Sequence, residues 1–362
     1  MAVTLPSIGI TFTQKATSLM TRSERGIAIL IVRDETQTPT FYTYNTLSDV
    51  VEADYSAANY QYIQDVYAVK QPYRLCVVRI DTTGTIADAI AIIEANVATG
   101  WVTIADGTST DFTALVTWIG TTEALGKTYK ALVHGISTAP DKKHVVDFVN
   151  TGVVFADETR GVETGEQYLP SLLGLLAGSN VLAGVTNAKC SNLTSVTAVS
   201  DPAADVAAGK FILVNDVNGV YIGVGVNSLT TTNGTTLTED MKYIETVEAM
   251  DLISDDIRDE FKNNYVGKYK NSYDNQILLI AAIRDYFNQL ARQNILDIEY
   301  ANIVDINVSA QRAAWVAAGT TAAAEWTDAE VKRAAYKRTV YLTADVKILG
   351  SMEHLTFEIN MA

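Results

Sequence analysis

Cysteine is nearly absent from this chain of 362 residues: only Cys76 and Cys190 occur. Two isolated thiols, one of them inside the apolar run 75–78, exclude a disulfide scaffold and read as buried, reduced side chains made in a cytosol. Proline is scarce at six, and 48% of residues are apolar, which excludes collagen-like and wholly disordered chains. The three histidines, His134, His144 and His354, share no i, i+4 spacing and neither cysteine has a second one nearby, so no metal site is expected. No apolar run reaches the roughly 20 residues that span a bilayer. The longest candidate, 169–185, is interrupted by Pro170, Ser171, Ser179 and Asn180. Residues 1–7 lack the basic start and apolar stretch of a signal peptide. Cations are the minority charge, with 27 Lys and Arg against 42 Asp and Glu and a formal charge of −15. Such a surface repels nucleic acid and anionic lipid, so neither direct nucleic-acid binding nor membrane insertion is expected.

Catalytic signatures are missing as well. There is no Gly-x-Ser-x-Gly elbow. Gly120 with Gly126-Lys127-Thr128 resembles a phosphate loop, but five residues separate the glycines and no apolar strand leads into them. Gly223-Val-Gly225 lacks the third glycine of a dinucleotide fingerprint. No catalytic residue and no cofactor is expected.

What is present divides the chain. Residues 1–24 read as an N-terminal arm in which Ile8, Ile10 and Phe12 alternate with Gly9, Thr11 and Thr13, the period-two pattern of a strand. Residues 25–160 read as an α/β domain. Apolar runs at 27–32, 75–80, 101–105 and 129–133 alternate with helical spacing at 55–67, 86–97 and 112–119, as crossover units require. Residues 161–345 read as a core domain. It holds a buried helix over 168–177 stopped by Gly178, a hairpin with Asn218-Gly219 as its turn, and a close backbone approach at Gly223 and Gly225. Further on come a helix capped by Ser254 and running to 262, one over 275–292, and one opened by the Thr327/Glu330 capping box and running through Tyr336. Residues 346–362 read as a C-terminal strand or arm in which Leu355, Phe357, Ile359 and Met361 share one parity. The fold class is therefore mixed α/β and multi-domain, with strand-like arms at both ends.

Two charge features stand out. Residues 239–260 hold nine acids against Lys242 and Arg258 and read as a solvated helical surface. Lys332, Arg333, Lys337 and Arg338 lie in ten residues without an acid, as either a solvated helix end or a docking face for an acidic partner. The arms are the feature that composition does not account for. Their apolar rows need a sheet to join, which is either their own domain's or a neighbour's. If every copy donates strands head to tail, the product is an open helical assembly.

At these residues the chain resembles the contractile tail sheath proteins of phages and phage-tail-like particles. The resemblance runs through Ser23-Glu24-Arg25-Gly26, Gly174-Leu-Leu-Ala-Gly178, Val185-Thr-Asn187 and the string Gly225, Val226, Asn227, Ser228, Leu229 and Thr230, where the family has Thr in place of Ser228. Tyr265-Val-Gly-Lys268 with Asn271-Ser-Tyr273 is similar to the short sheaths of Gram-positive phages and defective prophages. The resemblance implies a structural subunit that forms a homo-oligomeric helical sheath of stacked rings around a tail tube. It further implies contraction that drives the tube through a cell envelope, with baseplate and tail terminator proteins as further partners. Its place would be a virion tail or tail-like particle made in the host bacterial cytoplasm. It implies that Ile8, Ile10, Phe12, Leu355, Phe357 and Ile359 weave into adjacent subunits, and that Lys332, Arg333, Lys337 and Arg338 face the tube. The competing reading is an α/β nucleotide-binding module or enzyme, motivated by the alternation over 27–133.

Overall fold

The computed structural model describes residues 20, 25–38, 41–179 and 181–359. The expected strand carrying Ile8, Ile10 and Phe12, and the last residues of the C-terminal strand, lie outside them. The described residues of Arg22–Asp255 and Ile348–Ala362 make one compact unit, and those of Met1–Thr21 and Asp256–Lys347 make another.

The first unit is built on strands β1 (Ile27–Arg33), β2 (Phe41–Tyr44), β3 (Arg74–Ile80), β4 (Thr99–Ile104), β5 (Thr128–His134) and β6 (Val145–Phe148), with helices α1 (Ala57–Ala68), α2 (Ile86–Asn96) and α3 (Ser109–Ala124) between them. Downstream follow β7 (Gly152–Phe155), β8 (Val162–Thr164), α4 (Leu169–Gly178), β9 (Leu193–Val196), α5 (Pro202–Ala207), β10 (Lys210–Phe211), β11 (Leu213–Asp216), β12 (Gly219–Ile222) and the residues up to Asp255 of α6 (Ile244–Glu260). Seven strands form one sheet in the order β10-β6-β5-β4-β1-β3-β2, parallel throughout except for β2 against β3. In β1 every residue from Ile27 to Val32 is buried, as a central strand covered on both faces demands. Right-handed crossovers place α1 on one face of such a doubly wound sheet and α2 and α3 on the other. Helix α4 joins α1 on the first face, touching β1, β4 and β5, and Leu169 to Ala177 are all buried.

The approach of α4 to α1 depends on one missing methyl. A Cβ built on Gly174 would lie 1.7 Å from the Val66 carbonyl oxygen, so only glycine lets the two backbones cross. Gly174→Ala is expected to destabilise the unit at the upper end of the 1–3 kcal/mol typical of overpacking, about 3 kcal/mol. Urea unfolding of the full chain would read this as a lower midpoint at unchanged slope.

Two local expectations shift. In the hairpin, Asp216 pairs with Gly219, so Val217 and Asn218 form the turn and Gly219, at φ +129°, opens the second strand. Burial of Leu213 against its partner Ile222, with Val220, sets that register ahead of turn chemistry. Ser254 lies inside α6, which runs unbroken through it to Glu260, and the next five residues, Phe261–Tyr265, form a turn of π-helix.

The second unit contains the rest: α7 (Tyr273–Arg292), β13 (Ile303–Ile306), α8 (Val308–Ala317), α9 (Asp328–Arg333) and β14 (Leu342–Asp345). Ile280, Ile283, Phe287 and Leu290 give α7 its buried face, and it packs on β13. Strands β13 and β14 pair antiparallel as a sheet of two.

Candidate functional site: a backbone interlock and the arm it carries

The string 225–230 is irregular backbone that still satisfies its polar groups, and each residue type has a geometric reason. A Cβ on Gly225 would meet Val185 Cγ2 at 2.9 Å and Thr186 N at 3.3 Å, so a side chain has no room. Its N–H donates to Thr186 Oγ1 (2.9 Å) and its carbonyl accepts from Ile244 N (2.9 Å). Val226 bridges Tyr243 in antiparallel fashion. The Asn227 N–H donates to Lys242 O and its side-chain amide to Met241 O, both at 2.8 Å, while its Oδ1 accepts from Leu229 N (3.0 Å). Ser228 N donates to Val145 O at the start of β6 (2.8 Å), and its hydroxyl donates to Lys142 O (2.9 Å) and accepts from Lys142 N (3.2 Å). Thr230 N and Thr231 N both donate to Asp141 Oδ1, at 2.7 and 2.9 Å. Burial alone would raise the Asp141 pKa, but these hydrogen bonds outweigh it and hold the carboxyl far below the usual range. The string thus stitches three segments together: the entry to β6, the loop at 185–186 and the lead into α6.

The C-terminal segment is fastened to the same place. Ser351 N donates to Glu245 Oε1 (2.7 Å), and the Ser351 hydroxyl donates to Glu245 Oε2 and accepts from Gly184 N (2.9 Å). Thr186 Oγ1, which accepts from Gly225, donates in turn to Glu353. Beyond this latch residues 354–359 are exposed. Leu355, Phe357 and Ile359 are 89, 75 and 70% exposed, and residues 355–359 pair with no strand among the described residues. Within a single copy, residues 355–359 therefore have no sheet partner for their backbone groups among the described residues.

The cationic segment also departs from expectation. The Thr327/Glu330 capping box is present, but α9 stops at Arg333 and does not reach Tyr336. Gln311 Nε2 and Trp315 Nε1 both donate to the Ala334 carbonyl, at 3.1 and 2.8 Å, and hold the backbone out of the helix there. Lys332 pairs with Asp305 at 2.6 Å, whereas Arg333, Lys337 and Arg338 are exposed. Arg333 and Lys337 are accordingly not neighbours on one helix face.

The acidic run 239–260 is not a solvated surface. Asp251, Asp255, Asp256 and Glu260 are buried. Within the first unit, Lys130 Nζ, itself 97% buried, pairs with Asp251 Oδ2 (2.7 Å) and Glu248 Oε1 (3.2 Å). His144 contacts Asp251 Oδ1 (3.0 Å) and Glu123 Oε2 (3.4 Å). Trp101 Nε1 donates to Glu248 Oε1 (2.8 Å), and Asp255 accepts from Arg25 (3.0 Å) and Thr128 (2.7 Å). Burial opposes every charge here, but Lys130 and His144 hold the Asp251 carboxyl well below its usual range, and hydrogen bonds to Asp251 and Glu123 raise His144. Glu123 is likewise lowered, to about 2, its desolvation overcome by His144 and Lys143. The signal was in the sequence: Glu248, Asp251 and Asp255 stand at helical spacing on one face, and Lys130 interrupts an apolar strand.

At the sheet's topological switch, between the carboxyl ends of β1 and β4, a nucleotide would need open space and a free helix N-terminus. Arg33 instead spans it, with Nη1 and Nη2 on Asp111 at 3.1 and 2.6 Å, and Asp111 caps α3 through Thr108 N (2.9 Å). The nucleotide-binding reading finds no support in that geometry.

Comparison with known proteins points elsewhere. Residues 236–362 match the family model described as the phage tail sheath C-terminal domain. The whole chain is similar to the tail sheath protein of Clostridium phage phiCD119, 27% identical with 99% of each chain covered. In fold it is similar to the sheath tail protein of Desulfitobacterium hafniense (TM-score 0.68, 15% identity, 83% of this chain and 94% of that one). It is also similar to the helical sheath of the anti-feeding prophage in its contracted state (TM-score 0.70, 13% identity, 100% of both chains). The chain is thus similar to tail sheath proteins along its whole length, with a mixed α/β fold matching sheath structures and a match to the sheath C-terminal domain over its last third.

Proposed function

We propose that this protein is the structural subunit of a contractile sheath: copies polymerise as stacked rings around a tail tube and then contract, driving the tube through a target envelope. The likeness to a phage tail sheath protein over 99% of both chains carries this reading. Two structural features support it. The row Leu355, Phe357 and Ile359 stands exposed beyond a fixed latch. Among the described residues the β13–β14 sheet has two strands, a size that is marginal in water and gains stability from added strands. Arms of neighbouring copies, including the segment with Ile8, Ile10 and Phe12, would supply them. The extended sheath persists because a kinetic barrier holds it. Synthesis in the host cytoplasm, and contact with baseplate and terminator proteins at the two ends, complete the reading.

Electron microscopy of the purified chain tests it. Hollow helical tubes are expected; dispersed monomers at every concentration would count against it. For the tube-facing surface, the exposed Arg333, Lys337 and Arg338 are the better candidates, since Lys332 is already paired. Arg333→Glu with Lys337→Glu is expected to leave self-assembly intact and to weaken co-sedimentation with the tube protein by tenfold or more, about 1.4 kcal/mol. Unchanged co-sedimentation would remove that face.

A further inference from the structure

The formal charge of −15 is unevenly placed. Residues 256–347 contain twelve Lys and Arg and twelve Asp and Glu, so the whole excess of acid lies elsewhere in the chain. Within this neutral unit, residues 261–273 contain Lys262, Lys268 and Lys270 and no acid at all. The same residues carry an aromatic ladder. Phe261 and Tyr265 stack at 6.4 Å between ring centroids with planes 11° apart, and Tyr265 lies 5.3 Å from Tyr269. Phe261 opens the π-helical turn, in which Val266 N donates to Phe261 O at 3.0 Å. Gly267, at φ +76°, lets the chain reverse so that the Tyr269 ring packs, tilted by 34°, against Tyr265. The loop is held in place: the Asn271 side chain donates to the carbonyls of Tyr336 and Thr339 at 3.2 and 3.1 Å and accepts from Gln276 at 2.7 Å.

The result is a rigid ridge that faces solvent. Val266 is 56% and Tyr269 52% exposed, and all three lysines are exposed. Aromatic side chains packed on one another over ordered backbone supply contact area at little entropic loss, and tyrosines are enriched where interfaces concentrate their energy. Turns of π-helix recur at functional sites.

We propose that this ridge, Phe261, Tyr265 and Tyr269 flanked by Lys262, Lys268 and Lys270, is a docking surface for the acidic sheet-bearing unit of a second copy of the chain. Charge selects that partner: the acid the ridge lacks is carried, in full, by the other unit of every neighbouring copy. The contact is separate from the arms, because it uses no residue of 1–20 or 348–362. It rests on the sheath reading only in that a sheath crowds copies together.

The test places a photoreactive benzoylphenylalanine at position 269 of the full chain and mixes isotopically labelled with unlabelled protein. Irradiation is expected to give mixed-isotope adducts that map by mass spectrometry to residues 25–255. Lys268→Glu with Lys270→Glu should lower their yield at least tenfold, and raising salt should do the same. Adducts confined to the arms, to the same chain or to the tube protein, or none, would overturn the proposal. Microscopy of the same samples separates the two readings: tubes without this adduct leave the sheath standing and remove the ridge, whereas the adduct without tubes does the opposite.

Discussion

Truncation after Glu353 abolishes tube formation while leaving the monomer as stable as before: that is the expected result. The latch through Ser351 and Glu353 is retained in such a chain, so the interlock at 225–230 keeps its hydrogen bonds. Of what is removed, residues 354–359 make no strand pairing in the isolated chain, and Leu355, Phe357 and Ile359 are already mostly in water. Unfolding of the subunit should therefore hardly notice the loss. Assembly should notice it strongly, since each apolar side chain moved from water into a neighbour is worth about 1.5–3 kcal/mol. Three such side chains sum to at least ~4 kcal/mol per contact, on the order of a 10³-fold rise in the concentration needed to polymerise. Leu355→Asp, Phe357→Asp and Ile359→Asp together test the same point without shortening the chain. A truncated protein that still forms tubes at the wild-type threshold, measured by sedimentation and microscopy, would show that this segment is no arm.

Much of the fold was legible because its signals are local and repeated. The buried run 27–32, the spacing of α7 and the Thr327/Glu330 box each report their own element without help from distant residues. The expectations that moved share a cause, which is tertiary contact overriding a local signal. Asn218-Gly219 is a strong turn pair, yet the register follows burial of Leu213 and Ile222. Residues 334–338 have helical composition, yet Gln311 and Trp315 claim the Ala334 carbonyl. At the interlock the string 225–230 was visible as a resemblance. Its function as a stitch was not, because Asp141, Lys142 and Val145, its partners, lie some 85 residues away in sequence and carry no motif of their own. The burial of the acidic run is hidden from a local reading for the same reason: its counter-charges, Lys130, His144 and Arg25, are scattered over the first 144 residues.

Those counter-charges carry the second large effect. Lys130→Met is expected to destabilise the sheet-bearing unit by about 3–5 kcal/mol, the range for removing one partner of a buried ion pair. The ammonium sits between Asp251 and Glu248 with almost no access to water, so its loss leaves two carboxylates facing each other in a low-dielectric site. Lys130→Met combined with Asp251→Leu should recover a large part of the loss, because the uncompensated charge goes with its partner, and the two changes will be far from additive. The pH dependence follows from the directions of the shifts. Asp251 and Glu123 are lowered on folding, so their contribution is complete above the unfolded carboxylate range, about pH 4, and is lost as pH falls toward the folded values, about 2 for Glu123. His144 is raised, so its contribution is complete below about pH 6.5 and is lost as pH climbs through its folded value. Stability against urea should accordingly be greatest between about pH 4.5 and 6.5 and decline on both sides. His144→Gln, which cannot take up a proton, should flatten the alkaline limb and also weaken the acid limb, because His144 helps to lower Asp251 and Glu123. An alkaline decline unchanged in that variant would place its origin outside the cluster, and a Lys130→Met chain as stable as the wild type would mean that Asp251 and Glu248 find relief from water in the folded state.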